Sequence, residues 1–215
     1  MLDQRDELMI EVGDVTLHGL LEVPESARGV VVFVHGSGSS RMSPRNAFVA
    51  DALNGRGLAT LLFDLLTPEE EDADRNTGKY RFDVTLLTKR LEAVTTWLRR
   101  RHELSGLSVG LFGASTGAAA ALKAAAEMPD RVRAVVSRGG RPDLALEYLR
   151  RVPAPTLLIV GGDDPTVLDL NRRALEGLRG PKALEIIPGA THLFQEPGAL
   201  ERVAVLAGEW FEKYL

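Results

Sequence analysis

Ser115 lies in Gly113-Ala114-Ser115-Thr116-Gly117, a G-x-S-x-G pattern that reads as a nucleophile elbow. The apolar run 107–112 predicts a buried strand ahead of it, and the Ala-rich run 118–127 predicts a helix behind it. The backbone at the serine must then be strained, which persists only where the surroundings enforce it. Gly113 and Gly117 have no side chains, so strand and helix can approach closely there. A serine hydroxyl is a weak nucleophile until a base takes its proton, and a carboxylate must orient that base.

Of the four histidines, His18 falls on an edge strand and reads as solvated. His102 follows three arginines at a helix end, where the helix dipole suits it. His35 ends a buried strand beside glycines and reads as a hydrogen-bonded residue that shapes its loop. His192 lies in a loop after the last strand and is the candidate base. Asp163 and Asp164 both compete for the carboxylate; Asp164 is preferred because Pro165 follows it and the chain turns into a helix there. An oxyanion hole in this geometry takes one backbone N–H from the residue after the nucleophile, Thr116, and one from the loop after the first buried strand, where Ser37 is placed.

These residues need a scaffold that brings them to one edge. Residues 8–12 and 15–23 read as strands joined at Gly13-Asp14, a hairpin turn. Residues 30–34 form an apolar run without alternation, as a strand buried on both faces does. Ser43-Pro44 opens a helix, and 58–65 is the next buried strand. The acidic stretch 66–81 reads as a solvated loop. Val84, Leu87, Leu91, Val94 and Leu98 recur at spacings of three and four, so 82–101 is an amphipathic helix. After the elbow, strands at 132–137, 155–160 and 183–187 alternate with helices at 144–149, 168–178 and from Pro197 onward. Such alternation predicts a mostly parallel central sheet with helices on both faces and an N-terminal antiparallel hairpin. Residues 1–215 read as a single domain without linker or repeat. Ligands of such sheets bind beyond the carboxyl ends of the strands, where Ser37, Ser115, Asp164 and His192 all fall.

Together, His35-Gly36-Ser37-Gly38, the elbow, Gly161-Gly162-Asp163-Asp164 and Gly189-Ala190-Thr191-His192 resemble the α/β-hydrolase family, in particular its dienelactone-hydrolase-like branch. The resemblance spans nearly the whole chain. It implies an α/β-hydrolase fold, a Ser115–His192–Asp164 triad, Ser37 and Thr116 as oxyanion donors, and serine ester hydrolysis on a small-molecule ester. True dienelactone hydrolases use a cysteine nucleophile; this chain has serine there and no cysteine, which favours a general esterase. Many relatives insert a lid after the strand that here ends near Ser137. The segment up to Pro155 has room only for a loop and a short helix, so no large lid is expected. An acyltransferase or thioesterase could use the same triad, and a non-catalytic binding protein is the third reading.

Composition removes other classes. A formal charge of −4 offers no basic surface for nucleic acid, and the absence of cysteine excludes disulfides and thiolate metal sites. His192 has no second histidine at ligand spacing, so no metal and no cofactor are expected. The polar N-terminus is unlike a signal peptide and no apolar run reaches transmembrane length, which predicts a cytoplasmic protein away from membranes. Oligomeric state is left open. Arg41 and Arg138 fall in loops at the catalytic edge, where two guanidinium forks could clamp a substrate carboxylate; the alternative is that they pair with loop acids or face water.

Overall fold

The computed structural model describes residues 5–215. Eight strands form one sheet in the order β1-β2-β4-β3-β5-β6-β7-β8. The hairpin β1 (Asp6–Val12) and β2 (Val15–Glu22) pairs antiparallel, and β2 pairs antiparallel with β4 (Ala59–Phe63). From β4 onward every pairing is parallel, through β3 (Gly29–Val34), β5 (Ser108–Ala114), β6 (Val132–Arg138), β7 (Thr156–Gly161) and β8 (Lys182–Ile187). The expected mostly parallel sheet with an antiparallel hairpin at one edge is therefore present.

The run without alternation in β3 has the physical cause inferred for it. Val30, Val32 and Val34 enter one apolar core with Leu91 and Val94 of α3 (Val84–Leu98) and with the alanines of α4 (Thr116–Glu127). Val31 and Phe33 enter a second core with Val49 and Leu53 of α1 (Pro44–Asn54) and with Val203 and Phe211 of α6 (Ala199–Tyr214). Successive side chains of a strand point to opposite faces, so a strand covered on both faces must be apolar at every position. Helix α5 (Pro165–Gly177) covers β7 and β8, and a 3-10 segment (Pro142–Arg151) fills the β6–β7 connection. That connection is as short as expected.

One element corrects the reading from sequence. The stretch read as a solvated loop contains a helix, α2 (Pro68–Thr77). Thr67 caps it by accepting from the Glu70 N–H, and Glu70 reaches back to the Thr67 N–H, a complete capping box. Gly78 closes it in the left-handed conformation. Asp74 on this helix is buried and accepts from the Tyr80 N–H and the Arg81 guanidinium, which clasps the returning chain against the helix.

Candidate active site

Ser115 directly follows β5 and is the N-cap residue of α4, with φ 50° and ψ −121°. This positive φ on a non-glycine residue is sterically disfavoured and needs enforcement. The glycines supply it. A Cβ on Gly113 would sit 2.4 Å from Ala118 Cα, and one on Gly117 would sit 2.2 Å from the Val34 carbonyl oxygen. Only bare glycine allows α4 to start against β3 and β5 at once. The Ser115 N–H donates to the Arg138 carbonyl at 3.2 Å, and its own carbonyl accepts from the Arg141 N–H at 3.0 Å. The elbow is thus bound to the end of β6 on both sides.

The β8 loop delivers His192 to the same place. A Cβ on Gly139 would lie 3.6 Å from His192 Cε1, so the ring rests on the turn after Arg138. Phe194, two residues on, has φ 55° and is 1% exposed. Its burial holds a backbone that a bulky residue rarely adopts, with its N–H donating to the Thr191 carbonyl. The loop is also stitched to β7, where the Asp163 N–H donates to the Ala190 carbonyl at 3.0 Å. A Cβ on Gly161 would come within 2.2 Å of that same oxygen.

Asp164 caps α5, accepting from the Val167 N–H through Oδ1. Its Oδ2 meets His192 Nδ1 at 2.7 Å. Of the two competing carboxylates, Asp164 is half-buried against the histidine, while Asp163 faces solvent. A carboxylate on Nδ1 fixes the tautomer that leaves Nε2 unprotonated and able to accept. His192 Nε2 and Ser115 Oγ make no hydrogen bond among the described residues.

His35 is committed differently. Its Nε2 accepts from the Leu65 N–H at 3.1 Å, so Nδ1 must carry the proton that goes to the Gly36 carbonyl at 2.9 Å. Burial pushes its pKa below the ordinary histidine value. The ring ties the β3 loop to the end of β4, and the loop reaches the elbow: a Cβ on Gly36 would stand 3.0 Å from Ser115 Cβ.

The structure also brings the two oxyanion candidates together. The Ser37 N–H donates to Thr116 Oγ1 at 2.9 Å, a contact between side chain and backbone that sequence reasoning missed. The Thr116 N–H lies in the first turn of α4, where helical geometry leaves it without an intrahelical partner. Alongside runs a cavity of about 230 Å³ lined by Ser37, Leu65, Leu66, Arg75, Leu87 and Thr116. Helix α2 thus helps wall the site, which no sequence pattern was read to imply.

The two arginines do not act as a pair. The Arg41 guanidinium is bound to Asp64 and, at 3.1 Å, to Glu7, while its N–H donates to Asp64 at 2.7 Å. The alternative of loop acids therefore describes Arg41, although the acids are Asp64 and Glu7. Arg138 is buried over the Phe112 ring, 5.9 Å from its centroid. Among the described residues no group of three or more acidic or histidine side chains is placed to hold a metal ion, and no helix is long and apolar enough to cross a membrane.

The model of the dienelactone hydrolase family matches residues 17–211. A crystal structure of dienelactone hydrolase from Anabaena variabilis is 57% identical, covers 99% of both chains and superposes with a TM-score of 0.96. A Mycobacterium tuberculosis protein with the provisional name phosphoribosyl transferase is 58% identical over 210 residues, 98% of this chain and 46% of that protein. The chain thus spans about half the length of the curated relatives it matches first. Est1E from Butyrivibrio proteoclasticus, 16% identical over 96% of this chain and 98% of its own, shares the fold with a TM-score of 0.81. With its elbow, its sheet and these matches taken together, the chain belongs to the dienelactone hydrolase family of α/β-hydrolases.

Proposed function

We propose that the protein hydrolyses small carboxylic esters through an acyl-enzyme on Ser115, His192 and Asp164. The observation that carries this reading is the 2.7 Å contact between His192 Nδ1 and Asp164, which leaves Nε2 free to accept a proton. Ser115 Oγ attacks the ester carbonyl while Nε2 takes its proton. The Thr116 N–H holds the oxygen that becomes negative, joined by the Ser37 N–H as it turns from Thr116 Oγ1 to the substrate, and Asp164 stabilises the imidazolium. Collapse of the intermediate expels the alcohol, which takes the proton from Nε2. Water then repeats the sequence on the acyl-enzyme and releases the acid.

The side chain of His192 is 40% exposed, so water reaches the base directly, which favours hydrolysis over acyl transfer to another acceptor. The cavity beside Ser37, at about 230 Å³, is smaller than the 300–1,000 Å³ typical of ligand pockets, so short acyl or aryl groups fit it best. The Anabaena relative is named a dienelactone hydrolase, but the elbow here carries serine, and the reading extends to small esters in general. The provisional name of the mycobacterial relative is not transferred, because this chain spans about half of that protein.

A fluorophosphonate probe tests the reading. It should label the protein at Ser115, and Ser115→Ala should lose both labelling and turnover of short aryl esters while keeping its thermal melt. Turnover retained by Ser115→Ala would exclude the acyl-enzyme.

A further inference from the structure

The helix that carries Asp164 reaches the elbow through one buried amide. Asn171 lies in α5 and is 0% exposed. It follows Asp164 by about two helical turns, so both stand on the same side of α5. Its Nδ2 donates to the Val167 carbonyl at 2.8 Å, within the helix, and to the Gly140 carbonyl at 3.0 Å, outside it. Val167 is also the residue whose N–H Asp164 accepts from.

Gly140 belongs to the turn 138–141, on which the reacting groups rest. The Ser115 N–H donates to the Arg138 carbonyl, the Arg141 N–H donates to the Ser115 carbonyl, and the His192 ring lies against Gly139. Gly140 has no room for a side chain: a Cβ there would stand 2.0 Å from Ser137 Oγ and 2.7 Å from Ala118 Cβ. The turn is thus packed against β6 and α4, and Asn171 ties it to α5.

Stability alone accounts poorly for this amide. Its Oδ1 is buried with no hydrogen-bond partner, and a buried polar atom left unpaired destabilises a fold. Asparagine is also a weak helix former. A leucine has the same branching and heavy-atom count, needs no partner and favours the helix. What leucine cannot supply is the bond to Gly140. Buried hydrogen bonds hold the groups that they join in one arrangement.

We propose that Asn171 is a positioning residue for the triad, setting the distance between the Asp164–His192 pair and Ser115. The inference rests on the esterase reading and adds to it how the acid, at the start of α5, and the nucleophile, at the start of α4, are held in register. A misplacement of about 1 Å caused away from the chemistry can cost on the order of 10²-fold in rate.

Asn171→Leu removes both bonds. Asn171→Ser keeps a hydroxyl that reaches back to Val167 only, so it removes the Gly140 tie alone. Each should lower kcat on a short aryl ester about 10- to 100-fold with KM little changed, and slow fluorophosphonate labelling by a similar factor. Asn171→Gln retains the donor and should lie closer to wild type than either. The control is Thr60→Val near the start of β4, which removes another buried bond, from Thr60 Oγ1 to Asn54 Oδ1 at 3.1 Å, and should leave kcat unchanged whatever its Tm. Wild-type kcat in Asn171→Leu and Asn171→Ser, with Tm alone lowered, would overturn the proposal. Should Asn171→Leu not fold, Asn171→Ser carries the comparison. A second readout needs no turnover: amide hydrogen exchange at Arg141 should quicken at least tenfold in both variants and not in Thr60→Val. Unchanged exchange would overturn the tie by itself. A wild type that neither labels nor turns over, with exchange quickened in the variants, would sink the esterase reading and leave the tie standing.

Discussion

His35 and His192 stand at the same edge of the sheet, each in a loop directly after a parallel strand, and they are built for opposite tasks. Both nitrogens of His35 are spent on backbone groups, the Leu65 N–H and the Gly36 carbonyl, and the ring is buried. His192 spends one nitrogen on a carboxylate and leaves the other unengaged on a half-exposed ring. A histidine becomes a base when its partners fix one nitrogen and spare the other; it becomes a strut when they take both.

The largest effects should fall on the His192 side. His192→Ala should lower kcat on aryl esters on the order of 10⁴-fold or more, with the melting temperature nearly unchanged. Asp164→Asn should lose a similar factor, because the amide favours the wrong tautomer, whereas the exposed Asp163→Asn should stay close to wild type. Steady-state kinetics of the three variants decide this. If Asp163→Asn is the damaged one, the acid is assigned one residue too far along.

Much of this contrast was legible in the sequence. The β-branched run 30–34 marked a strand buried on both faces, and the elbow glycines marked a turn where no Cβ fits, because both are local steric demands. The pairing of Asp164 with His192 could be narrowed only to two neighbouring acids, since the choice depends on which way α5 leaves β7. Helix α2 was missed although Thr67-Pro68-Glu69-Glu70 spells a capping box. Its four consecutive acidic residues pointed to solvent, and most of the segment is indeed exposed, but it is helical rather than a loop. The partner of Arg41 was not legible because Asp64 lies 23 residues away, on a neighbouring strand end that only the sheet order brings close.

A smaller effect should come from the oxyanion side. The Ser37 N–H rests on Thr116 Oγ1 at 2.9 Å, so the hydroxyl holds that donor in place between turnovers. Thr116→Val keeps the shape and removes the acceptor, leaving a loop N–H to be oriented by the chain alone. A drop in kcat of about tenfold with KM little changed is expected, the signature of a group that matters in the transition state. A rise in KM at constant kcat would instead make Thr116 a ground-state contact to substrate.

The smallest effect should be a pH-dependent one at His35. Burial holds its folded pKa below the value it regains on unfolding, near 6.5. The unfolded chain therefore binds more protons between those two values, and stability must rise with pH across that window. The contribution is fully present above about pH 6.5 and is lost as pH falls through the folded value. His35→Gln retains a side-chain donor and acceptor but cannot titrate. It should cost about 1–3 kcal/mol near pH 7.5, where a buried backbone partner is left poorly satisfied. The gap to wild type should narrow as pH drops from 7 toward 5, because only the wild type loses this contribution. Urea unfolding at closely spaced pH values measures both. A gap constant across that range would mean that the ring titrates no differently folded or unfolded, and His35 would then hold its loop by shape alone.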